Sequence, residues 1–545
     1  MALDLQKIPA IVRGILEARG ISAADLDSFF NPRCSDLLPP EALPGIVDAA
    51  EEILSAVKAR EKIVVFGDYD CDGVSATAIL TKAIAAISGD VTPFVPRRLD
   101  EGYGMTDASV KRLLEENPDV QLIVTVDNGI NSNDQVAELM SRGISVVVTD
   151  HHLPSETLPP AAAVVNPKVA APTALEGLCG AGVAFLLARQ LFRGAFPDPK
   201  DSPGVSPLLV LAGLATVTDI MPLVGQNRIL VSAALEKFHS FAPVGLRELY
   251  GRAARNAADR LVAKDFGFLI GPRINASGRL ANGMEALDLI LAADREEARE
   301  YARIVDGRNV ERKTIEQRMT EEALAQVVPE APAQVIDLPD GHPGVAGIVA
   351  ARILERLEHP APVFVLAGGH GSARAPVGIN VRDAMEACKE TLTRYGGHAA
   401  AGGFSVKEGC LATFREQVCA YCAAQGEAVQ AAAKEAAEDD AWVETSDVTL
   451  ELAEWMTRME PFGEGNKEPV FGIRNVYLSD VRPLGAEGRH LAVALKGSGL
   501  KAIWWNRGDL VEELRHDAFR PRDIRFTVEI SDYGGRHVEL RLVAL

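Results

Sequence analysis

Short acidic and imidazole clusters stand out in this chain: Asp68, Asp70 and Asp72 in GDYDCDG, Asp127 in VTVDNGI, Asp150, His151 and His152 in VVVTDHH, and Asp219 in TVTDIMPL. Carboxylates brought together without counter-charge raise one another's pKa values and cost stability, whereas divalent cations turn the same crowding into attraction. Oxygen donors with imidazole among them suit Mn²⁺ or Mg²⁺, the imidazole tipping preference toward Mn²⁺. Two such ions about 3.5 to 4 Å apart activate a water and hold both oxygens of an in-line phosphoryl displacement. The chemistry this points to is phosphoester hydrolysis. An aspartate behind a strand is often only a helix N-cap. One cap accounts for one carboxylate, but not for D-x-D-x-D at one strand end and D-H-H at another.

The elements that must position these groups are legible nearby. Residues 62–66, 122–126 and 144–148 are short apolar runs rich in β-branched residues, as buried parallel strands are. The first three clusters each follow such a run, which predicts a site at the sheet edge where open α/β folds bind ligands.

The 545 residues, 47% of them hydrophobic, suffice for three or four domains. Met1-Ala2-Leu3-Asp4 lacks a basic start with an apolar core behind it, and no apolar run reaches the length of a membrane span. A cytoplasmic protein without a membrane partner is expected. Seven scattered cysteines suit a reducing compartment, and Cys419 and Cys422 have the spacing of a helix face rather than of a zinc site. The net charge of −20 disfavours phosphate binding at face value, but residues 427–460 alone carry ten acids against two bases. Arg97, Arg98, Arg279, Arg308, Arg312, Arg374 and Arg382 remain to line a groove, so a local basic path on an acidic protein is expected.

Along the chain, residues 1–45 read as a short helical segment and 46–291 as an α/β domain. Residues 292–328, with Tyr301, Val305, Ile315 and Met319 near helical spacing, read as one long connecting helix. Asn309 and Arg312 fall on its apolar side, as interlobe hydrogen bonds or as contacts to substrate phosphate. A second α/β lobe spans 329–426, with strands at 334–336 and 363–366 around a helix at 345–357, followed by an acidic linker at 427–441. Residues 442–545 show alternating strands at 490–495, 500–505, 524–530 and 537–543, with a hairpin turn at 532–535, as in a small barrel. Trp504 and Trp505 must point to opposite faces of their strand.

The ordered series D-x-D-x-D, lone Asp, D-H-H and later Asp is similar to the motif set of the DHH phosphoesterases. RRLDEGYGM, GLCGAGVAF, GPRINASGRL, HPGVAGIVAARI, GSARAP, YGGHAAAGGF and PFGEGNKEPVF extend the resemblance over nearly the whole chain. It implies a parallel-sheet DHH domain, a DHH-associated α/β domain and a C-terminal OB-fold β-barrel. It also implies a 5′-to-3′ exonuclease that degrades single-stranded DNA to mononucleotides in DNA repair and recombination, with two Mn²⁺ or Mg²⁺ ions. Carried over by position, Asp70, Asp72, Asp127, His151 and Asp219 become metal ligands, Asp68 completes the second ion's shell, and His152 lies beside the scissile phosphate. Arg98, Arg279, Asn309, Arg312, Ser372, Arg374 and His398 become contacts to the 5′ phosphate and those that follow. Single-strand-binding protein and a helicase are partners of the kind implied, although no motif marks them. Cys71, Asn128 and Ala375 depart from the family pattern, where Ala, Cys and Ser are usual. Two other readings fit the acids: a phosphodiesterase for short oligonucleotides or cyclic dinucleotides, to which a strand-binding barrel would be superfluous, and a non-cutting scaffold, which would have no need of a complete ligand set.

Overall fold

The computed structural model describes residues 7–102, 104–170, 173–254, 260–425, 440–517, 519–532 and 535–545. The apolar runs are strands: β1 (Lys62–Phe66), β2 (Asp90–Phe94), β3 (Leu122–Val126), β4 (Ser145–Thr149) and β5 (Ala163–Val165). They form one sheet in the order β2-β1-β3-β4-β5, with every pair parallel. β4 runs one residue later than its apolar pattern suggests, because Thr149 still pairs with Val126 and Val165. From β1 the chain crosses over to one side of the sheet and from β3 to the other, so a crevice opens beyond their C-terminal ends. Helices Cys71–Ala86 and Gly180–Ala195 share the main core with β1 and β3 and close one face.

The connecting helix is Arg295–Leu324, capped by the Asp294 carboxylate on the N–H groups of Glu296 and Glu297. It begins and ends a little inside the expected 292–328. At 1.5 Å per residue it is about 45 Å long, enough to serve two cores. Ala302 and Val305 lie in the core of the first lobe, and Met319 and Ala323 in that of the second.

The second lobe contains β6 (Gln334–Leu338), β7 (Val363–Ala367), β8 (His370–Arg374), β9 (Leu392–Gly397) and β10 (Ala401–Val406), ordered β6-β7-β8-β10-β9. Only β6 and β7 run parallel. Helix Pro343–Leu354 follows β6 two residues ahead of its apolar pattern, since Pro343 suits a first turn. Cys419 and Cys422 sit on helix Leu411–Ala423, and all seven cysteines are free thiols.

The C-terminal sheet contains β11 (Ala441–Trp442), β12 (Phe471–Val476), β13 (Leu478–Leu484), β14 (His490–Leu495), β15 (Lys501–Trp504), β16 (Arg522–Ser531) and β17 (His537–Ala544). Its order is β11-β12-β16-β17-β15-β14-β13. β12 and β13 carry no clear alternation and escape sequence reading. Trp504 packs against the core, while Trp505 is exposed beside the His490 ring at 4.6 Å. Residues 427–439 of the acidic stretch, and Tyr533 and Gly534 of the expected turn, lie outside the described residues. Among the described residues no helix is long and apolar enough to cross a membrane.

The N-terminal segment does not stand alone. Val12, Ile15, Leu16 and Phe29 share a core with Trp455, Phe471 and Phe526 of the C-terminal region. Arg228 of the first lobe clasps both ends: Nε donates to Phe29 O at 2.8 Å, and Nη2 to Met459 O at 3.1 Å and Glu460 O at 2.9 Å. Its guanidinium also lies 3.9 Å from the Phe29 ring. We predict that Arg228→Met, which strips these buried carbonyls of a donor, costs about 2 kcal/mol or more. The expected observation is a lower denaturant midpoint together with early proteolysis at the N-terminal helices; an unchanged midpoint would contradict the clasp.

Candidate metal centre

The turn after β1 supplies three carboxylates with three different environments. Asp68 is buried, and neither of its oxygens has a hydrogen-bond partner. Asp70 is indeed an N-cap: Oδ1 accepts the N–H groups of Asp72 and Gly73, both at 3.0 Å. Asp72, inside the first turn, receives the N–H groups of Gly180 and Ala181 on separate oxygens, each at 2.7 Å. Those N–H groups open helix Gly180–Ala195, whose positive end favours a carboxylate. Capping therefore explains one acid and leaves the others to be accounted for.

Close approach of the segments depends on glycine. A Cβ on Gly73 would lie 2.5 Å from Asp68 Cβ, and one on Gly180 would lie 2.6 Å from Asp127 Cβ. Asp127 itself has φ +60°, a left-handed conformation that Asp tolerates better than most residues. Thr125 Oγ1 donates to Asn128 O and Asn128 Nδ2 to Val126 O, both at 2.8 Å, which fixes this turn. The Asn128 departure thus serves backbone geometry.

Asp150 is a positioning group that sequence reading left without a role. Its carboxylate accepts N–H groups from Ile130 at 3.0 Å, His151 at 2.7 Å and His152 at 3.1 Å, and pairs with His152 Nδ1 at 2.7 Å. From the end of β5, Asn166 Nδ2 donates to His152 O at 2.9 Å and Lys168 Nζ to His151 O at 2.5 Å. So held, His151 Nε2 lies 3.1 Å from Asp127 Oδ1 and 3.7 Å from both Asp72 Oδ2 and Asp219 Oδ2. Three donor groups converge: Asp68, Asp70 and Asp127; Asp72, His151 and Asp219; and Asp127, His151 and His152, with ligand atoms within 4.8 Å of one another in each. All seven residues proposed from sequence for the hydrolytic centre meet here.

The electrostatics are those of a cation site. Burial first, and then neighbouring carboxylates, hold Asp68 and Asp127 well above the usual range and push Asp219 up to about 8. Asp72 is raised by burial, with His151 working against it. Burial lowers His151 to about 4. Burial opposes charge on His152 as well, but the hydrogen bond and charge of Asp150 outweigh it and bring that imidazole up to about 9. Buried carboxylate oxygens at Asp68 and at Asp127 Oδ1 with no hydrogen-bond partner are donor atoms that a divalent cation would satisfy. The residues present fit Mn²⁺ or Mg²⁺: hard oxygens with one or two imidazoles.

Beside the acids lies a group of arginines. Tyr69, Asp70, Arg98, Asn275 and Arg279 line a pocket of about 100 Å³. Asn275 also accepts the Cys71 N–H at 2.7 Å, so the GPRINASGRL segment anchors the helix that carries the acids. Arg98 lies 5.0 Å over the Tyr69 ring. Burial, followed by Arg98, lowers Arg279 to about 10, and the same two causes lower Arg374. Among the described residues none of the three forms a salt bridge. Arg374 and Ser372 come from β8 of the second lobe and face Gly347, where a Cβ would meet Arg374 Nη2 at 3.0 Å and Ser372 Oγ at 3.5 Å. His398 is exposed, and after burial the charge of His152 is the next cause lowering its pKa, so it lies within electrostatic reach of the acids. Ala375, a departure from the family pattern, uses its N–H to reach Ala400 O at 3.0 Å.

The other basic residues are engaged elsewhere. Arg312 is buried in an ion pair with Glu316 and donates to Asn309 Oδ1 at 2.5 Å, while Glu316 also receives Arg352 of the second lobe at 3.0 Å. Asn309 and Arg312 thus bond within the connecting helix, and Glu316 carries the link to the second lobe. Arg308 pairs with Glu285 at 2.8 Å. The expected basic path therefore narrows to Arg98, Arg279 and Arg374, with Arg97 and Arg382 exposed.

Strand order, acids at the switch point and a second lobe facing them define a DHH-type phosphoesterase. Residues 62–212 match the DHH family N-terminal domain, 330–424 the DHHA1 domain and 440–544 the RecJ OB domain. The single-stranded-DNA-specific exonuclease RecJ of Thermus thermophilus is 39% identical over 482 residues, covering 88% of this chain and 68% of that protein. The Bacillus subtilis RecJ is 31% identical, covering 93% of this chain and 64% of that protein. The crystal structure of T. thermophilus RecJ with Mn²⁺ superimposes with a TM-score of 0.83 at 32% identity, covering 99% of this chain and 76% of that one. The chain belongs to the RecJ family of single-stranded-DNA-specific exonucleases.

Removing one carboxylate relieves repulsion as well as removing a ligand. Asp127→Asn is therefore expected to raise the Tm of the metal-free protein, by about 2 to 4 °C for each kcal/mol relieved, and to abolish the further rise that Mn²⁺ gives the parent. Thermal melts with and without Mn²⁺ check both signs; retained Mn²⁺ stabilisation would remove Asp127 from the site.

Proposed function

We propose that this protein is a two-metal-ion exonuclease that shortens single-stranded DNA from its 5′ end and releases mononucleotides. One observation carries the reading: a set of carboxylates and imidazoles adjoins a group of arginines drawn from both lobes, none of which forms a salt bridge among the described residues. Asp68, Asp70 and Asp127 would hold one ion, and Asp72, His151 and Asp219 the other, with Asp127 near both. When bound, such a pair lowers the pKa of a water and screens charge on the phosphate.

The chain's own residues do the rest. Asp150 orients the two histidines, so His151 faces the acids and His152 stands at their rim. Arg98 and Arg279 offer guanidinium donors in a pocket that fits a phosphate but not a base pair. Arg374, Ser372 and His398 meet the strand from the second lobe. Asn309 and Arg312 support this reading from the connecting helix, where Arg312 pairs with the Glu316 that Arg352 of the second lobe also reaches. Exposed Trp505 offers a stacking surface of the kind that OB-folds use for unpaired bases.

The test is digestion of an end-labelled, 5′-phosphorylated single strand with Mn²⁺, with Mg²⁺ or with chelator. Mononucleotides released from the 5′ end only with metal are expected; preference for a dinucleotide over a long strand would favour the small-phosphodiester alternative. Arg279→Ala is expected to lower kcat/KM by about a hundredfold, some 2.7 kcal/mol, and to reduce discrimination between 5′-phosphate and 5′-hydroxyl ends.

A further inference from the structure

Asp219 differs from the other proposed ligands in its support. It does not follow a strand but ends helix Ser206–Thr218, and its side chain, at 29% exposure, is more open than those of Asp72, Asp127 and His151. The next residue, Ile220, has φ +57° and is 71% exposed. A β-branched residue in the left-handed region costs roughly 1 to 2 kcal/mol, so this turn persists only if its surroundings impose it. Part of the restraint is local: Asp219 N–H reaches Ala215 O at 2.9 Å, Ile220 N–H reaches Val217 O at 3.2 Å and Met221 N–H reaches Thr216 O at 3.1 Å. The rest comes from the loop that follows.

That loop is held by the C-terminal region. Leu223 N–H donates to Glu464 O at 2.7 Å. Glu464 sits at the tip of a tight turn closed by Gly463 N–H on Asn466 O at 3.0 Å and Asn466 N–H on Gly463 O at 3.2 Å, with Gly465 at φ +70°. Both glycines press on the loop: a Cβ on Gly463 would lie 2.7 Å from Leu223 Cδ1, and one on Gly465 would lie 3.1 Å from Pro222 Cβ. Buried Asn466 fixes the turn from behind, donating to Met459 O and Pro461 O, each at 2.9 Å. Asn227 pins the other side of the loop through Pro222 O at 3.1 Å.

We infer that the turn at residues 463–466 is a positioning element for Asp219, so that the C-terminal domain helps to set the metal affinity of the first lobe. The inference rests on the metal reading of the site given above. The turn acts at a distance: it touches Pro222 and Leu223, and through them restrains the strained turn at Ile220 that aims the carboxylate.

The full-length chain carrying Gly463→Val, which pushes Leu223 away, is titrated with Mn²⁺ by thermal shift and by loss of the free-ion electron paramagnetic resonance signal. Nuclease KM for single-stranded DNA is then measured at saturating Mn²⁺. A tenfold or greater rise in half-saturating Mn²⁺, with KM for DNA within twofold of the parent, is expected. Trp505→Ala should do the reverse, raising KM and leaving Mn²⁺ half-saturation alone. Ile220→Gly, which accepts φ +57° without strain, should restore most of the lost affinity when combined with Gly463→Val. If Gly463→Val does not fold, Gly465→Ala is read in the same way. A folded turn variant with parental Mn²⁺ half-saturation overturns the inference, as does failure of Ile220→Gly to rescue; a parent that binds no Mn²⁺ overturns the functional reading instead.

Discussion

Like charges forced together at the C-terminal edge of one sheet govern this structure. Asp68, Asp72, Asp127 and Asp219 would each be more comfortable protonated or apart, as their upward shifts show. Part of the cost is met by backbone: Asp70 caps its own helix, and Asp72 sits on the N-terminus of another. Asp68 and the Asp127 Oδ1 have no comparable cap. The frame has to hold them where a cation needs them, because nothing in the site itself does so. Gly73 and Gly180 permit the approach, the left-handed Asp127 aims its carboxylate, and Asp150 spends its whole hydrogen-bonding capacity on backbone and on His152.

The complementary charge comes from both lobes, Arg98 and Arg279 from the first and Arg374 from the second. Burying guanidinium groups beside one another is as unfavourable as crowding acids, and Arg279 shows it by its fall to about 10. The structure keeps the two unfavourable sets close together without letting them cancel, since Asp70 and Arg279 line one pocket but form no salt bridge. A phosphate held by ions on one side and guanidinium groups on the other, as proposed, would complete both sets at once. Elsewhere arginines are neutralised internally: Arg308 by Glu285 and Arg312 by Glu316. The distinction between engaged and available arginines bears on the proposed substrate path more than does the total charge of −20.

Much of this was legible in the sequence because it is local. Strand runs of five residues, and the acids directly behind them, are set by near-neighbour sterics and burial, so β1 and β3 fall where their apolar patterns place them. The motif order then carried the ligand set. What stayed hidden depends on contacts across hundreds of residues. Nothing in residues 8–30 announces a shared core with Trp455, and Arg228 looks like any helix-surface arginine until Phe29 and Met459 meet it. Asn309 and Arg312 show why a polar residue on an apolar helix face is ambiguous: the same position suits a phosphate or a buried partner, and neighbours such as Glu316 and Arg352 become visible only once the helix is packed. Trp504 and Trp505 were fixed as opposite in direction but not in sense, because the period of a strand says nothing about which face meets the core.

The clasp and the Asp219 loop are two ends of one arrangement. Val224 closes the loop, and four residues on Arg228 grips the backbone of both termini, so the helix that begins here joins the metal centre to the shared N- and C-terminal core. Met459 O accepts both from Arg228 and from Asn466, which places the clasp and the 463–466 turn on the same carbonyl. A displacement of the C-terminal region therefore cannot spare the loop that carries Asp219. Strain at Ile220 sharpens the coupling, since a turn held away from its preferred conformation relaxes as soon as its restraint loosens. In such an arrangement the sheet edge supplies most ligands rigidly, while one remains responsive to how the distant ends of the chain are packed.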